Sequence, residues 1–191
     1  RLKSDDVNTR KDAAKPMLFQ KIRQPKSNYL IIPRVSSENR QYVPIKFATP
    51  DLIVGDAVQT IPDASLYDFG VLTSTMHNSW MRSIAGRLKS DYRYSAGIVY
   101  NNFPWPENPS EKQKAAIEAA AQAVLDARTQ FPDSTLADLY DPLTMPPVLL
   151  KAHQTLDKAV DAAYGKTSFK TEAERVAFLF GLYQGLLAKL H

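Results

Sequence analysis

The 191-residue chain has no cysteine, which excludes a disulfide framework and any thiolate-ligated metal centre. A cysteine-free composition is compatible with a reducing cytoplasm. Histidine is scarce as well, with only His77, His153 and His191. They form no HExxH pattern and no cluster with carboxylates, so metal binding is not expected. His153 falls on the apolar stripe Leu149, Leu156, Val160, where a satisfied core histidine is the expected role. Seven glycines leave no phosphate-cradling loop, and neither GxxxxGK[ST], GxGxxG nor GxSxG occurs. Apolar runs are short, which implies no membrane span. The first fifteen residues lack the apolar core of a signal peptide. Starting at Arg1 rather than Met, the chain is read as a piece of a longer protein.

What is present suits a folded domain: 44% hydrophobic and 23% charged residues over a length that can bury a substantial core. The net charge of +4 is unevenly spread. Residues 1–105 hold 15 Lys and Arg against 9 Asp and Glu, whereas residues 106–191 hold 9 against 11. A basic first half joined to a mildly acidic second half points the first half toward a polyanion.

The chain divides at "NNFPWPENPS", which carries three prolines in ten residues. Residues 1–15 are expected to be the end of a helix or a linker. From Asn28, "NYLIIPR", "QYVPIKF" and "PDLIVGDAVQTIP" read as strands, with Pro33 and Pro44 arguing for edges or bends. Phe69, Leu72, Met76, Trp80, Ile84 and Leu88 recur every three or four residues and predict one amphipathic helix. A strand over roughly Ser90–Tyr100 follows. Past the boundary, Ser110 with Gln113 and Thr171 with Glu174 are capping-box signatures. Prolines open the "MPPVLLKAHQTLDKAVDAAYG" helix and Gly165 ends it. Val176, Leu179, Tyr183, Leu186 and Leu190 form the apolar face of the last helix. The expected architecture is α+β: a small mixed or antiparallel sheet with a packed helix in residues 1–105, then an all-α helical bundle in residues 106–191.

Asp157 and Asp161, four apart beside Lys151 and Lys158, are expected on a solvated helix face. No nucleophile–base pair stands out. The Asn/Asp-Pro-Pro-Tyr/Phe tetrapeptide with which amino-methyltransferases hold a flipped base is also missing, since Asn102 is followed by Phe103. No catalytic centre is expected within this chain. "RLKSDYRYSAGIVYNNFPWPENP" is more informative. In a strand, Lys89, Asp91, Arg93 and Ser95 share one face while Tyr92 and Tyr94 point the other way, toward the preceding helix. Lys or Arg addresses guanine O6 and N7, and Asp accepts from cytosine N4, so this face suits major-groove edges. A solvated ladder of alternating charge is the competing explanation. "PRVSSENR" adds Arg34, Ser36, Ser37, Asn39 and Arg40, residue types that grip phosphate oxygens.

With "IIPRVSSENRQYVPI", "SLYDFGVLTSTMHNSWMR", "GRLKSDYRYSAGIVYNNFPWPE" and "LADLYDPLTMPPVLLKAHQTLDKAVD", nearly the whole chain resembles the C-terminal part of MmeI-like DNA methyltransferases. These are large type II restriction–modification proteins and their methyltransferase-only relatives. The resemblance implies a DNA target recognition domain up to about residue 105 and a helical C-terminal domain beyond it. It also implies that S-adenosylmethionine and the methyl-transfer motif belong to an upstream part of the parent, so no cofactor is expected in this chain. The parent would transfer a methyl group to the exocyclic amine of adenine. The resemblance further assigns base reading to Lys89, Asp91 and Arg93, with Ala57 on an earlier strand as a neighbour of Arg93. Phe103, Pro104, Trp105 and Pro106 are expected to lock the strand's exit against the core. The implied partners are double-stranded DNA and the upstream methyltransferase domain.

Two other classes compete. In one the chain is a docking module of a larger enzyme without base readout, and Arg93→Ala has no effect. In the other Tyr92, Tyr94, Phe103 and Trp105 stack single-stranded bases, which requires them to be exposed.

Overall fold

The computed structural model describes residues 2–13, 15, 17, 24–166 and 168–189. Helix α1 (Val7–Ala13) has no buried residue. Strand β1 (Tyr29–Pro33) is central in an antiparallel sheet, between β3 (Lys46–Ala48) and β4 (Val58–Pro62). Pro33 therefore does not mark an edge strand. It is tolerated because β3 pairs only with Tyr29, Leu30 and Ile31, so Pro33 faces β4 alone. Pro44 lies before β3, outside any strand.

A second antiparallel sheet orders β2 (Val35–Ser36), β6 (Asp91–Arg93) and β5 (Gly86–Leu88). The single small sheet expected is thus two, and Arg34 is the joint between them. Its N–H donates to the Ala57 carbonyl at 2.9 Å, and its carbonyl accepts from the Tyr94 N–H at 2.7 Å. The expected Ser90–Tyr100 strand is also revised. Lys89 and Ser90 turn the β5–β6 hairpin, and Ala96–Tyr100 form a single π-helical turn.

The stripe from Phe69 to Ile84 is divided between two helices, α2 (Leu66–Thr73) and α3 (Thr75–Ile84), with Ser74 extended between them. Leu88 belongs to β5 instead. The break is sealed from far along the chain. Asp157 Oδ1 accepts from the Thr75 N–H at 2.6 Å, and Oδ2 accepts from the Thr75 hydroxyl at 2.6 Å and the Tyr42 hydroxyl at 2.8 Å. Asp157 is therefore a helix cap and not a solvated residue. Asp161 is buried too, and it pairs with Arg175 at 2.7 Å. Burial holds both carboxyl groups above the ordinary aspartate range.

The second half consists of α4 (Glu111–Thr129), α5 (Leu136–Leu139), α6 (Pro147–Ala163) and α7 (Glu172–Ala188). Ser110 and Gln113 form the reciprocal capping box at α4. Thr171 caps α7 through the Glu174 N–H, but the Glu174 carboxylate returns to the Lys170 N–H at 2.9 Å, so that box is half closed. Gly165, at φ 72°, ends α6 in the left-handed region. On α7 Leu179 is buried, Val176 and Tyr183 are half-buried and Leu186 is exposed; Leu190 lies outside the described residues.

One hydrophobic core runs through both halves, joining Leu30, Ile32, Phe69 and Trp80 to Ile117, Val124, Leu149 and Leu156. Arg128 of α4 reaches across to donate to the Ile45 carbonyl at 2.8 Å. The two halves also approach closely at Gly70 of α2, where an added Cβ would meet Ile117 Cγ2 at 2.6 Å and Ala121 Cβ at 3.2 Å. Gly70→Ala is therefore expected to destabilise the protein by about 1–3 kcal/mol, because overpacking outweighs the gain in helix propensity. Urea unfolding of the variant checks this, and an unchanged midpoint would contradict it.

Candidate nucleic-acid interface

The β5–β6 hairpin projects its tip away from the shared core. Its two-residue turn carries no glycine or asparagine, and Lys89 itself sits in the left-handed region at φ 58°. Lys89 consequently stands at the tip, not on the strand face with Asp91 and Arg93 as the alternation predicted. The other parities hold. Tyr92 and Tyr94 are buried, and Arg93 is exposed with Asp91 half-buried beside it.

The buried side of the hairpin is tightly held. Tyr94 bonds His77 Nε2 at 3.1 Å through its hydroxyl, and His77 meets the Phe103 ring edge-on at 4.8 Å between centroids. Complete burial pushes the His77 imidazole down to about 3, against a smaller opposing effect of its hydrogen bond to the Leu72 backbone. His77 is thus neutral, and Tyr94 donates to it. Arg87 lies 3.9 Å over the Tyr92 ring, donates to the Ser90 carbonyl at 2.5 Å and pairs with Glu38 at 3.1 Å. A cation stacked and bonded in this way fixes the turn against the 35–40 segment.

Beyond Arg93, Ser95 is half-buried and opens the π-turn, its carbonyl accepting from the Val99 N–H at 2.7 Å. The Trp80 indole donates to the Val99 carbonyl at 3.0 Å, and Asn102 donates to those of Gly97 and Ile98 at 3.0 and 2.9 Å. These bonds explain the Asn-Asn-Phe-Pro-Trp-Pro exit. Asn102 closes the turn, buried Phe103 packs on His77, and the Pro104 carbonyl takes a hydrogen bond from Tyr164 of the helical half at 2.8 Å. Since Tyr92, Tyr94 and Phe103 are all buried, the single-strand stacking reading loses its platform.

The 34–40 segment is only partly available to a polyanion. Arg34 is half-buried, and its Nε donates to the Val58 carbonyl at 3.2 Å. Ser36 is 4% exposed, packed on the inner face opposite Tyr92, and this burial removes it from the phosphate-binding candidates. Ser37 is half-buried, with its hydroxyl accepting from the Asn39 N–H at 3.3 Å, and so shapes a turn that exposes Asn39 and leaves Arg40 half-buried. Ala57 is exposed in the turn just before β4, not within a strand. Its carbonyl accepts from the N–H of Arg34, the residue before the cross-strand partner of Arg93. Arg93 is exposed on the outward face beside half-buried Asp91 and Lys89 is exposed at the tip, while Arg87 and its partner Glu38 lie on the Tyr92 side.

Arg87, Asn102 and His77 were not legible as parts of the site. Their roles depend on a hairpin that no turn residue announces, although the position of Arg87 two residues before Lys89 is a usable signal once the turn is known.

Two small sheets backed by helices make up the first half, and helices alone make up the second. The chain belongs to the MmeI family: residues 1–107 match the MmeI target recognition domain and residues 109–191 the MmeI C-terminal domain. It is 44% identical over 184 residues to "DNA methyltransferase A" of Bacillus subtilis (strain 168), which covers 96% of this chain and 21% of that protein. It also superposes, with a TM-score of 0.91 and 55% identity over 98% of its length, on a solved structure of the Type IIL restriction-modification enzyme MmeI in complex with DNA. The chain spans about a quarter of that enzyme and about a fifth of the Bacillus protein.

Proposed function

We propose that this chain is the part of a larger DNA methyltransferase of a restriction–modification system that recognises a specific double-stranded sequence. The observation that carries the reading is the outward face of the β5–β6 hairpin, where Asp91 and Arg93 stand on a rigid, buttressed sheet in a chain of this family. Arg93, Asp91 and Lys89 contact base edges in the major groove, with Ser95 and Ala57 at its margin. Asn39, Arg40 and the free part of Arg34, with Ser37 shaping their turn, hold phosphates and set register.

Methyl transfer to adenine, with S-adenosylmethionine as donor, belongs to the upstream part of the parent. The target adenine must leave the stack, which costs a few kcal/mol. This chain keeps the duplex in place while it does so. The helical half, locked to the recognition half through Asp157, Arg128 and Tyr164, keeps the hairpin from yielding under that load. Such an enzyme works in the cytoplasm, where the DNA is. No described helix is long and apolar enough to cross a membrane.

Fluorescence anisotropy of a labelled duplex, titrated with the full-length enzyme at several salt concentrations, tests the phosphate assignment. Arg40→Ala is expected to weaken binding about equally on every sequence and to reduce the salt slope by about 1. A slope unchanged by the substitution would remove Arg40 from the backbone contacts.

A further inference from the structure

The outward face of the second sheet carries apolar side chains that the core does not need. Register fixes which they are. Val35 is the cross-strand partner of Arg93, and Leu88 is the partner of Asp91. Directly opposed residues share a face and stand about 4.5–5.5 Å apart at Cβ. Val35 is 38% exposed and Leu88 49% exposed, while the opposite face buries Tyr92 and Ser36. A one-sided antiparallel sheet ordinarily turns polar residues outward. Here each charged side chain has instead an exposed aliphatic neighbour.

We propose that Val35 and Leu88 are specificity-determining residues that pack against thymine 5-methyl groups in the major groove, beside the base pairs that Arg93 and Asp91 address. This rests on the DNA-recognition reading above. The 5-methyl group of thymine is the apolar feature among the base edges of that groove, and the groove admits a two-stranded β-ribbon. At Leu88 and Asp91 the sheet is that ribbon, since β2 pairs only with Tyr92 and Arg93. The neighbouring cations Arg93 and Lys89 favour a polyanion over an apolar protein surface as the occupant. An aliphatic group beside a charged one also works by exclusion: a methyl group fits next to Val35, whereas the bare edge of cytosine leaves it in contact with a polar amine.

Replacing each thymine of the methylated motif with uracil, which removes only the methyl group, tests this in the full-length enzyme. At one or two positions the wild-type kcat/KM for methylation is expected to fall about fourfold, the value of one buried methyl group. Val35→Thr, which keeps the branched shape in the strand, should abolish that sensitivity at one position, and Leu88→Thr should abolish it at the other. Methylation of the uracil duplex at the wild-type rate shows that the variants are folded. A flat uracil scan in the wild type, or sensitivity that survives in both variants, overturns the proposal. Arg93→Ala separates the two levels. If it alters the motif while the scan is flat, only the roles of Val35 and Leu88 fail. If it leaves motif and rate unchanged, the recognition reading fails and this proposal fails with it.

Discussion

Exchanging Lys89 for Glu and Asp91 for Arg in the full-length enzyme is expected to replace G by C at one position of the methylated motif. The physical basis is the complementary pattern of a G·C pair in the major groove, with acceptors on guanine and an amino donor on cytosine. Lys89 at the hairpin tip supplies a donor, and Asp91, on the strand just past the turn, supplies an acceptor. Swapping the signs inverts the pattern without altering the strand register, because neither side chain takes part in the bonds that fix the turn. Those come from Arg87. Each contact is worth about 1–3 kcal/mol of discrimination, so the double exchange is expected to change the preference by on the order of 100-fold or more. Each single substitution opposes like groups and should lower methylation instead of redirecting it. Sequencing of methylated genomic DNA from cells expressing each variant reads the outcome. A double variant that still methylates the original motif would exclude this pair from base reading.

Acidification is expected to destabilise the protein well above the range where carboxylates ordinarily titrate. His77 and His153 are both fully buried, and burial pushes each imidazole down to about 3. His153, stacked on Tyr42 at 4.1 Å and bonded through Nε2 to the Tyr140 hydroxyl at 2.7 Å, also lies near the positive charge of Arg128. Unfolded histidines bind protons near pH 6.5, so between about 6.5 and 3 the unfolded chain takes up more protons than the native one. Stability then falls as the pH falls. At pH 5 each histidine contributes about 2 kcal/mol to the loss, or about 4 kcal/mol for the pair, a large part of a typical domain's stability. Asp157 and Asp161 act in the opposite sense. Their carboxyl groups are raised by burial, so they favour the native state as acid protonates them and offset part of the loss. Urea unfolding at pH 7, 6 and 5 checks this, and a flat profile would mean that the two imidazoles are not buried and neutral.

Features governed by neighbours in the chain were legible in the sequence. The period of two put Tyr92 and Tyr94 inside and Arg93 outside, and the box at Ser110 opened α4 where it was expected. Phe103 and Pro104 lock the exit as their rigidity suggested. What stayed hidden depends on distant partners or on exceptional backbone. Lys89 turns the hairpin at a positive φ that glycine or asparagine would normally signal. Ala96–Tyr100 has the composition of a strand, yet Trp80 and Asn102 satisfy its carbonyls as a π-turn. The interruption at Ser74 depends on Asp157, which looked like a solvated residue because its partners, Thr75 and Tyr42, belong to the other half. Ser36 resembled a phosphate ligand by type, and only the pairing with Tyr92 shows that it faces inward.

The most direct test of base reading by the hairpin face is competition binding of the full-length enzyme, wild type against Arg93→Ala. The competitors are the cognate duplex and a full set of single-base-pair variants at fixed salt. Arg93→Ala is predicted to lose about 5- to 150-fold of the preference at one base pair, corresponding to about 1–3 kcal/mol, while the salt slope stays unchanged. A variant that keeps the wild-type preference at every base pair would contradict the claim that this face reads the sequence.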